Sequence, residues 1–132
     1  MLSIVLSFLL VGASVSCQGG RQKPTNVTGD VFDAANFACN EINAQSNSED
    51  WFTLLSAGNA TTQVVTGEIF RMDLTMGESA CMNSPVNQNA TPFDCPVPEG
   101  ASIWKYWVEV LYIHWQTPVF TLLVMHPETS HE

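Results

Sequence analysis

The sequence predicts an α+β fold in which an antiparallel sheet wraps around one helix. Three observations lead to this prediction: one amphipathic helical pattern near the N-terminal end, two later runs in which apolar and polar residues alternate, and four strand-like segments that follow the helix in succession. Helical spacing buries one stripe of a helix, and period-two alternation buries one face of a sheet. Both surfaces are buried if they pack against each other.

The predicted helix begins after Asp30, which we expect to be its N-cap residue. Apolar residues then recur at spacings of three and four over about 14 residues, which indicates one buried stripe. Phe37 lies at the edge of this stripe, and the polar residues 45–48 end the helix in a loop. The stripe consists of Val31, Ala34, Ala35, Ala38 and Ile42.

Strands are predicted in the remainder of the chain, and the two middle strands alternate most clearly. In the second strand Phe70, Met72, Leu74 and Met76 are the apolar positions, and the third strand alternates in the same way between Trp104 and Tyr112. The predicted strands cover residues 51–57, 70–76, 104–112 and 119–125, with an extended arm at 17–29, a long loop at 77–100 and a turn at 114–118.

The composition of the 132-residue chain indicates one folded domain and excludes several classes of partner. Thirteen acidic residues face only four Lys and Arg, which gives a net charge of -9. A nucleic-acid-binding protein or a polybasic membrane-surface protein needs the opposite sign of charge. Apolar residues make up 45% of the chain and charged residues 13%, which is typical of a globular protein and not of a disordered acidic tail.

The first residues have the pattern of a secretory signal peptide, an uncharged apolar run followed by small residues. We expect residues 1–16 to be removed, so that residues 17–132 form the domain of a secreted, extracellular protein. A buried N-terminal strand and a membrane anchor are the alternatives, although the apolar run is shorter than the roughly 20 residues of a membrane span. Three N-glycosylation sequons begin at Asn26, Asn59 and Asn89 and support the secretory route.

The four cysteines predict one disulfide, between Cys81 and Cys95, which flank a polar loop. Cys17 lies at the predicted cleavage site, and Cys39 then remains as a thiol buried in the helix. A bridge between Cys17 and Cys39, or one between two chains, is the alternative. The cysteine and histidine spacings match no zinc site, so we expect no metal.

The sequence offers no convincing active site. A dyad of Cys39 and His114 is conceivable, but the alanine-rich helix around Cys39 carries nothing that would activate a thiol. The carboxylates are scattered, and no glycine-rich phosphate loop is present. We therefore expect a protein that is not an enzyme and that needs no cofactor.

Three segments instead stand out as loops that a meander would bring to one end of the sheet. They are the Gly19-Gly20 pair in the arm, the apolar residues 63–67 between two strands, and His114-Trp115 at a later turn. Alternate connections of a meander lie at the same end of the sheet. Each of Val64, Val65 and Trp115 could also be an ordinary buried residue.

Taken together, these segments resemble the type 2 (secreted) cystatins. Gln63, Val65 and Gly67 match the family motif Gln-x-Val-x-Gly, and the separations of Gly20, Gly77 and Cys81 from it are those of the family, with a helix that ends in the sequence Glu-Ile-Asn at residues 41–43. The resemblance covers about residues 19–125. It implies a cystatin-like fold, with one long helix wrapped by a curved antiparallel sheet of about five strands.

The resemblance also implies a function, which is reversible, tight-binding inhibition of papain-like cysteine proteases, the cathepsins and especially the cathepsin L type. The family acts as a monomeric, non-covalent wedge in the active-site cleft. Carried over to this chain, the protease-binding residues are Gly19, Gly20, Gln63, Val64, Val65, Thr66, Gly67, His114 and Trp115. The alternative is a cystatin-fold binding protein that no longer inhibits.

Several positions depart from the family pattern. His114 replaces the proline that precedes the tryptophan, and Tyr106 and His126 stand where a second disulfide is expected. Some secreted cystatins also inhibit legumain through a Ser-Asn-Asp loop after the helix. Ser46 and Asn47 occupy that place, although Ser48 replaces the aspartate.

Overall fold

The computed structural model describes residues 20–128 as one helix and one five-stranded antiparallel sheet in the order β1-β2-β3-β4-β5. This confirms the predicted cystatin-like α+β fold. The predicted signal peptide, Cys17 and Gly19 lie outside the described residues. No helix among residues 20–128 has the length and apolarity needed to cross a membrane. The elements are β1 (Lys23–Pro24), α1 (Gly29–Gln45), β2 (Asp50–Val65), β3 (Gly67–Met82), a 3-10 turn (Pro85–Asn87), β4 (Ile103–Tyr112) and β5 (Phe120–Pro127).

The core lies between α1 and one face of the sheet. All five apolar residues of the predicted helical stripe are buried, and Phe37 packs against the edge of the core, as predicted. Three of the five are alanines, so the helix can approach the sheet closely. The facing side chains of β3 and β4 are Phe70, Met72, Leu74, Met76, Val108 and Val110, each no more than 2% exposed.

A buried asparagine fixes α1 against β2. The side-chain amide of Asn43 donates to the backbone oxygen of Phe52 at 2.9 Å, and its oxygen accepts from the backbone N–H of Phe52 at 2.9 Å. Asn43 is 1% exposed, so these two bonds satisfy peptide groups that have no access to water. The pair therefore sets the position of the helix along the strand.

The predicted N-cap at Asp30 is wrong. Thr28 has the extended backbone of the N-cap residue, its oxygen accepts from the N–H of Val31 at 3.1 Å, and the helix begins at Gly29. Asp30 instead lies in the first helical turn. A carboxylate is favourable there because it lies at the positive end of the helix dipole. An acidic residue near the start of a helix can therefore be either the N-cap or a first-turn residue, and the sequence pattern does not distinguish the two.

The strands are longer than predicted. β2 runs through residues 58–61, where the register against β3 shifts and Asn59 has a positive φ of 50°. The small and polar residues of this bulge interrupt the apolar pattern without ending the strand. β3 continues to Met82, into the predicted loop, and β5 covers residues 120–127 rather than 119–125. A fifth strand, β1, forms within the predicted arm.

The structure confirms the predicted disulfide and the predicted buried thiol. Cys81 and Cys95 form a disulfide, and Cys39 is a free, buried thiol whose Sγ donates to the oxygen of Phe52 at 3.5 Å. Burial raises the pKa of the Cys39 thiol from 9.0 to about 12. The alternative bridge involves Cys17, which the structure does not describe.

Tyr106 and His126, which stand where a second disulfide is expected, are one residue out of register across β4 and β5. His126 lies opposite Trp107, with ring centroids 6.3 Å apart, whereas Tyr106 lies opposite Pro127 and packs against the core. Tyr106 and His126 therefore do not face each other, contrary to the placement that the resemblance suggested. An aromatic pair on the outer face of the sheet occupies this position.

Candidate functional site

The first loop of the candidate site is the hairpin between β2 and β3. Val65 ends β2, Gly67 begins β3, and Thr66 alone lies between them. Val64 is 58% exposed and Val65 is half-buried, so the hairpin presents an apolar side chain to solvent. The Val64 side chain is therefore available for contact with a partner protein.

Gly67 is required at this hairpin for two reasons. Its φ of +94° is a conformation that other residues rarely adopt. In addition, a Cβ there would lie 2.5 Å from the oxygen of Tyr112 and 2.8 Å from Cγ1 of Ile113. The glycine therefore allows the hairpin to pack directly against the end of β4.

Replacement of Gly67 by alanine should destabilise the domain by about 3 kcal/mol, because backbone strain and a steric clash both oppose it. Thermal or urea unfolding of the purified variant measures this change. Gly58→Ala is the matched control, since no atom lies within 4 Å of that Cβ and φ is not positive there. Equal destabilisation by both substitutions would contradict the assigned role of Gly67.

The N-terminal arm lies beside this hairpin. The N–H of Gly20 donates to the oxygen of Val64 at 2.6 Å, and the side-chain amide of Gln63 donates to the oxygen of Gly20 at 3.0 Å. Gln63 also accepts from Arg71 at 2.9 Å, and Arg71 pairs with Glu109 at 3.4 Å. Gln63 is thus a positioning residue that connects the arm, the hairpin and the sheet.

The second loop, residues 113–119, connects β4 to β5 next to the first hairpin. The N–H of Ile113 donates to the oxygen of Val119 at 2.9 Å and closes the loop. His114 and Trp115 are both exposed, Trp115 by 60%, and their rings meet edge to face at 4.9 Å. The imidazole therefore supports the indole in place of the family proline, and Pro118 lies further along the same loop.

Acidic groups lie beside the second loop at the N-terminal end of α1. Partial burial raises the pKa of the Tyr112 phenol, and a hydrogen bond and charge interaction with Asp30, together with the charges of Glu68 and Asp33, raise it further. The phenol consequently stays neutral across the physiological range. This flank of the candidate site is negatively charged.

The exposed loops can contact a partner protein, and the described residues form neither the Cys39–His114 dyad nor a metal site. The structure does not support the dyad of Cys39 and His114, because the thiol is buried in the core and the imidazole is exposed at the loop. A protonated thiol is a poor nucleophile. Within residues 20–128, no group of three or more His, Cys, Asp or Glu side chains is arranged to hold a metal ion.

The turn that contains Ser46 and Asn47 lies at the other end of the sheet. Ser46 caps the C-terminus of α1, and Asn47 is exposed. The side-chain amide of Asn83 donates to the oxygens of Asn43 and Ser48 at 3.0 and 2.9 Å, which holds the turn against the end of β3. No sequence pattern had singled out Asn83.

The three sequon asparagines are all exposed. Asn59 donates to Asp73 at 2.9 Å from the bulge of β2. The side-chain oxygen of Asn89 accepts from Asn40 at 2.9 Å. None of the three lies in the two loops of the candidate site.

Comparison with known proteins identifies the class to which this fold and site belong. A family model, the Cystatin domain, matches residues 19–101, and the chain belongs to the cystatin family. This membership supports a general role as an inhibitor of cysteine proteases, and cystatins are inhibitors rather than enzymes. A comparison with curated protein sequences found no significant match.

Solved cystatin structures share the fold at low sequence identity. Dimeric human cystatin F superposes with a TM-score of 0.71 at 19% identity and covers 99% of this chain and 98% of its own. A salivary cystatin from the soft tick Ornithodoros moubata gives 0.63 at 20% identity, covering 83% and 98%. Mialostatin, a gut cystatin from the hard tick Ixodes ricinus, gives 0.64 at 18% identity, covering 84% and 100%. At these levels of sequence identity, the similarity shows a shared fold and no more specific property.

Proposed function

We propose that the chain is a secreted, reversible, tight-binding inhibitor of papain-like cysteine proteases of the cathepsin L type. It acts as a monomer and enters the active-site cleft as a non-covalent wedge. The wedge consists of the arm at Gly19 and Gly20, residues 63–67, and the His114-Trp115 loop. The observation that carries this proposal is the exposure of Val64 and Trp115 on two adjacent loops at one end of the sheet.

The proposal is favoured by how firmly these loops are held. The side chain of Gln63 donates a hydrogen bond to the arm at Gly20. Gly67 allows the first hairpin to pack against the end of β4, and the ring of His114 contacts that of Trp115. A site that is already ordered loses little conformational entropy on binding. Apolar and aromatic anchors on such a site are the groups that carry most interface affinity.

Titration of active papain and of a cathepsin L-type protease with the chain from Gln18 tests this function. We expect stoichiometric inhibition, and we expect Val65→Asp to remove it because the substitution places a charge in the interface. Absence of inhibition at micromolar concentration by a folded chain would overturn the wedge and favour a non-inhibitory binding role.

We further propose that residues 1–16 are a signal peptide and that the mature domain is glycosylated. Asn26 and Asn59 are exposed and followed by threonine two residues later, as the acceptor motif requires. Asn89 is the poorest acceptor, because Pro92 follows its sequon and its carboxamide is bonded to Asn40. Mass spectrometry of the protein secreted from eukaryotic cells gives both the mature N-terminus and the occupied sites.

Inhibition of legumain through Asn47 is a second candidate function. The observation that favours it is an exposed asparagine on a turn that Asn83 holds from the neighbouring strand. The turn lies at the C-terminal end of α1, whose 17 residues separate it from the wedge by ~25 Å. The two inhibitory surfaces would therefore be independent.

Substitution of Asn47 by glutamine should abolish inhibition of legumain and leave inhibition of papain unchanged. The extra methylene displaces the carboxamide that an Asn-specific protease would recognise. Parallel assays measure inhibition of legumain and of papain by the same variant. Trp115→Ala should weaken inhibition of papain and leave inhibition of legumain unchanged. Loss of both activities in Asn47→Gln would contradict two separate surfaces.

A further inference from the structure

One edge of the sheet, formed by β5, has no partner strand in the described part of the chain. The N–H of Ile113 donates to Val119, and hydrogen-bonded pairs alternate along an antiparallel ladder. The N–H and oxygen of Phe120 and Leu122, which lie opposite Tyr112 and Val110, consequently point away from β4. Within residues 20–128, no backbone hydrogen bond between elements reaches these atoms.

A groove of about 620 Å³ runs alongside this edge, between β5 and one face of α1. Phe37, Glu41 and Gln45 recur every four residues along the helix and form one wall. Pro118, Phe120 and Leu122 belong to the opposite wall, and the rings of Phe37 and Phe120 meet at 5.5 Å. The groove therefore combines apolar surface with free backbone donors and acceptors.

The charge of the groove restricts what it can bind. Of the ten described residues that line it, Glu41 is the single charged one. The helix also carries Asp30 and Asp33 and has no basic residue. A basic side chain is the complement of this wall.

We propose that this groove binds an extended segment of a partner protein in which one face presents an apolar, a basic and an apolar residue in alternation. The segment adds a strand to β5 through the outward N–H and oxygen of Phe120 and Leu122. Its apolar side chains pack on Phe37 and Phe120, and its basic side chain pairs with Glu41. The groove shares Pro118 with the loop that carries Trp115, but Phe37, Glu41, Phe120 and Leu122, which make the proposed contacts, lie outside the wedge. The inference therefore does not rest on protease inhibition.

A second copy of this chain fits the groove less well. Antiparallel pairing of two β5 edges about a two-fold axis would place both helices on the same face of the joined sheet, beside the seam. Each copy would then direct Glu41 toward an equally acidic helix, which is unfavourable. The charge argument therefore favours a basic partner over self-association.

The probe for this surface is the acetylated and amidated hexapeptide Val-Thr-Lys-Thr-Val-Thr, whose alternate residues are apolar, basic and apolar. It is titrated into the ¹⁵N-labelled chain lacking residues 1–16. We expect amide shifts at Phe120 and Leu122 and at the helix residues Phe37, Glu41 and Gln45, and none at Val64. No shift at millimolar peptide, or shifts centred on other residues, would overturn the proposal.

Matched probes and variants separate the contributions. The same peptide with Glu in place of Lys should bind more weakly, and backbone N-methylation should abolish binding because it removes the strand donors. Glu41→Gln should weaken the Lys peptide by about two- to fivefold, and Glu41→Lys should invert the preference between the two peptides. Equal binding of both peptides, or sedimentation of the chain as a dimer that pairs through β5, would refute the basic partner.

Discussion

Trp115→Ala should weaken inhibition of a papain-like protease by about 100-fold, or ~3 kcal/mol, which is typical of an aromatic anchor at the centre of an interface. The indole is 60% exposed and its aromatic contact is with His114. Its removal therefore costs little stability, and the loss falls on binding. Inhibition constants at several protease concentrations measure it, and the dissociation rate should carry most of the change.

The chain provides a matched control for this substitution. Trp107 lies on the same strand that leads to the loop, but its ring packs on His126 on the outer face of the sheet. Trp107→Ala should leave inhibition unchanged. Equal loss of inhibition in the two variants would show that Trp115 acts through the fold and not through contact with the protease.

Asn43→Leu should lower the free energy of unfolding by about 2–5 kcal/mol. The substitution keeps the side-chain volume but leaves the N–H of Phe52 buried without a partner and its oxygen with only the weak bond from the Cys39 thiol. An unpaired buried N–H or oxygen costs about 1–3 kcal/mol. For a domain of this size the melting temperature should fall by roughly 10–20 °C. Urea and thermal unfolding of the purified chain measure both quantities.

Asn40→Leu is the control, since Asn40 lies one turn earlier on the helix and bonds to the exposed Asn89. Its solvated partner can bond to water instead, so the change should stay within about 1 kcal/mol. If Asn43→Leu were as mild as Asn40→Leu, the bond to Phe52 would not anchor the helix.

The pattern of apolar residues predicted the fold correctly where a single surface is buried. The stripe from Val31 to Ile42 and the alternation from Phe70 to Met76 each report one buried face, and both are buried in the structure. The pattern failed at Asn59, because a bulge changes which face a side chain occupies without ending the strand. It failed at Asp30 because an acidic residue is favourable both as an N-cap and in the first turn.

The candidate site was predictable only in its exposed parts. Val64 and Trp115 were identified from the sequence and are exposed. The connection of Gly20, Gln63 and Arg71 could not be derived, because it joins side chains and backbone from three separate elements. Asn83 was missed for the same reason, since its partners lie at the end of the helix about 35 to 40 residues earlier in the chain.

The burial of Cys39 has a consequence for how the correct disulfide is obtained. Thiol–disulfide exchange requires a thiolate, and a thiol with a pKa of about 12 is almost entirely protonated at neutral pH. Once the helix has packed on the sheet, Cys39 can neither attack the bond between Cys81 and Cys95 nor be oxidised readily. If packing precedes oxidation, the chain therefore keeps an unpaired cysteine through an oxidising environment without forming isomers.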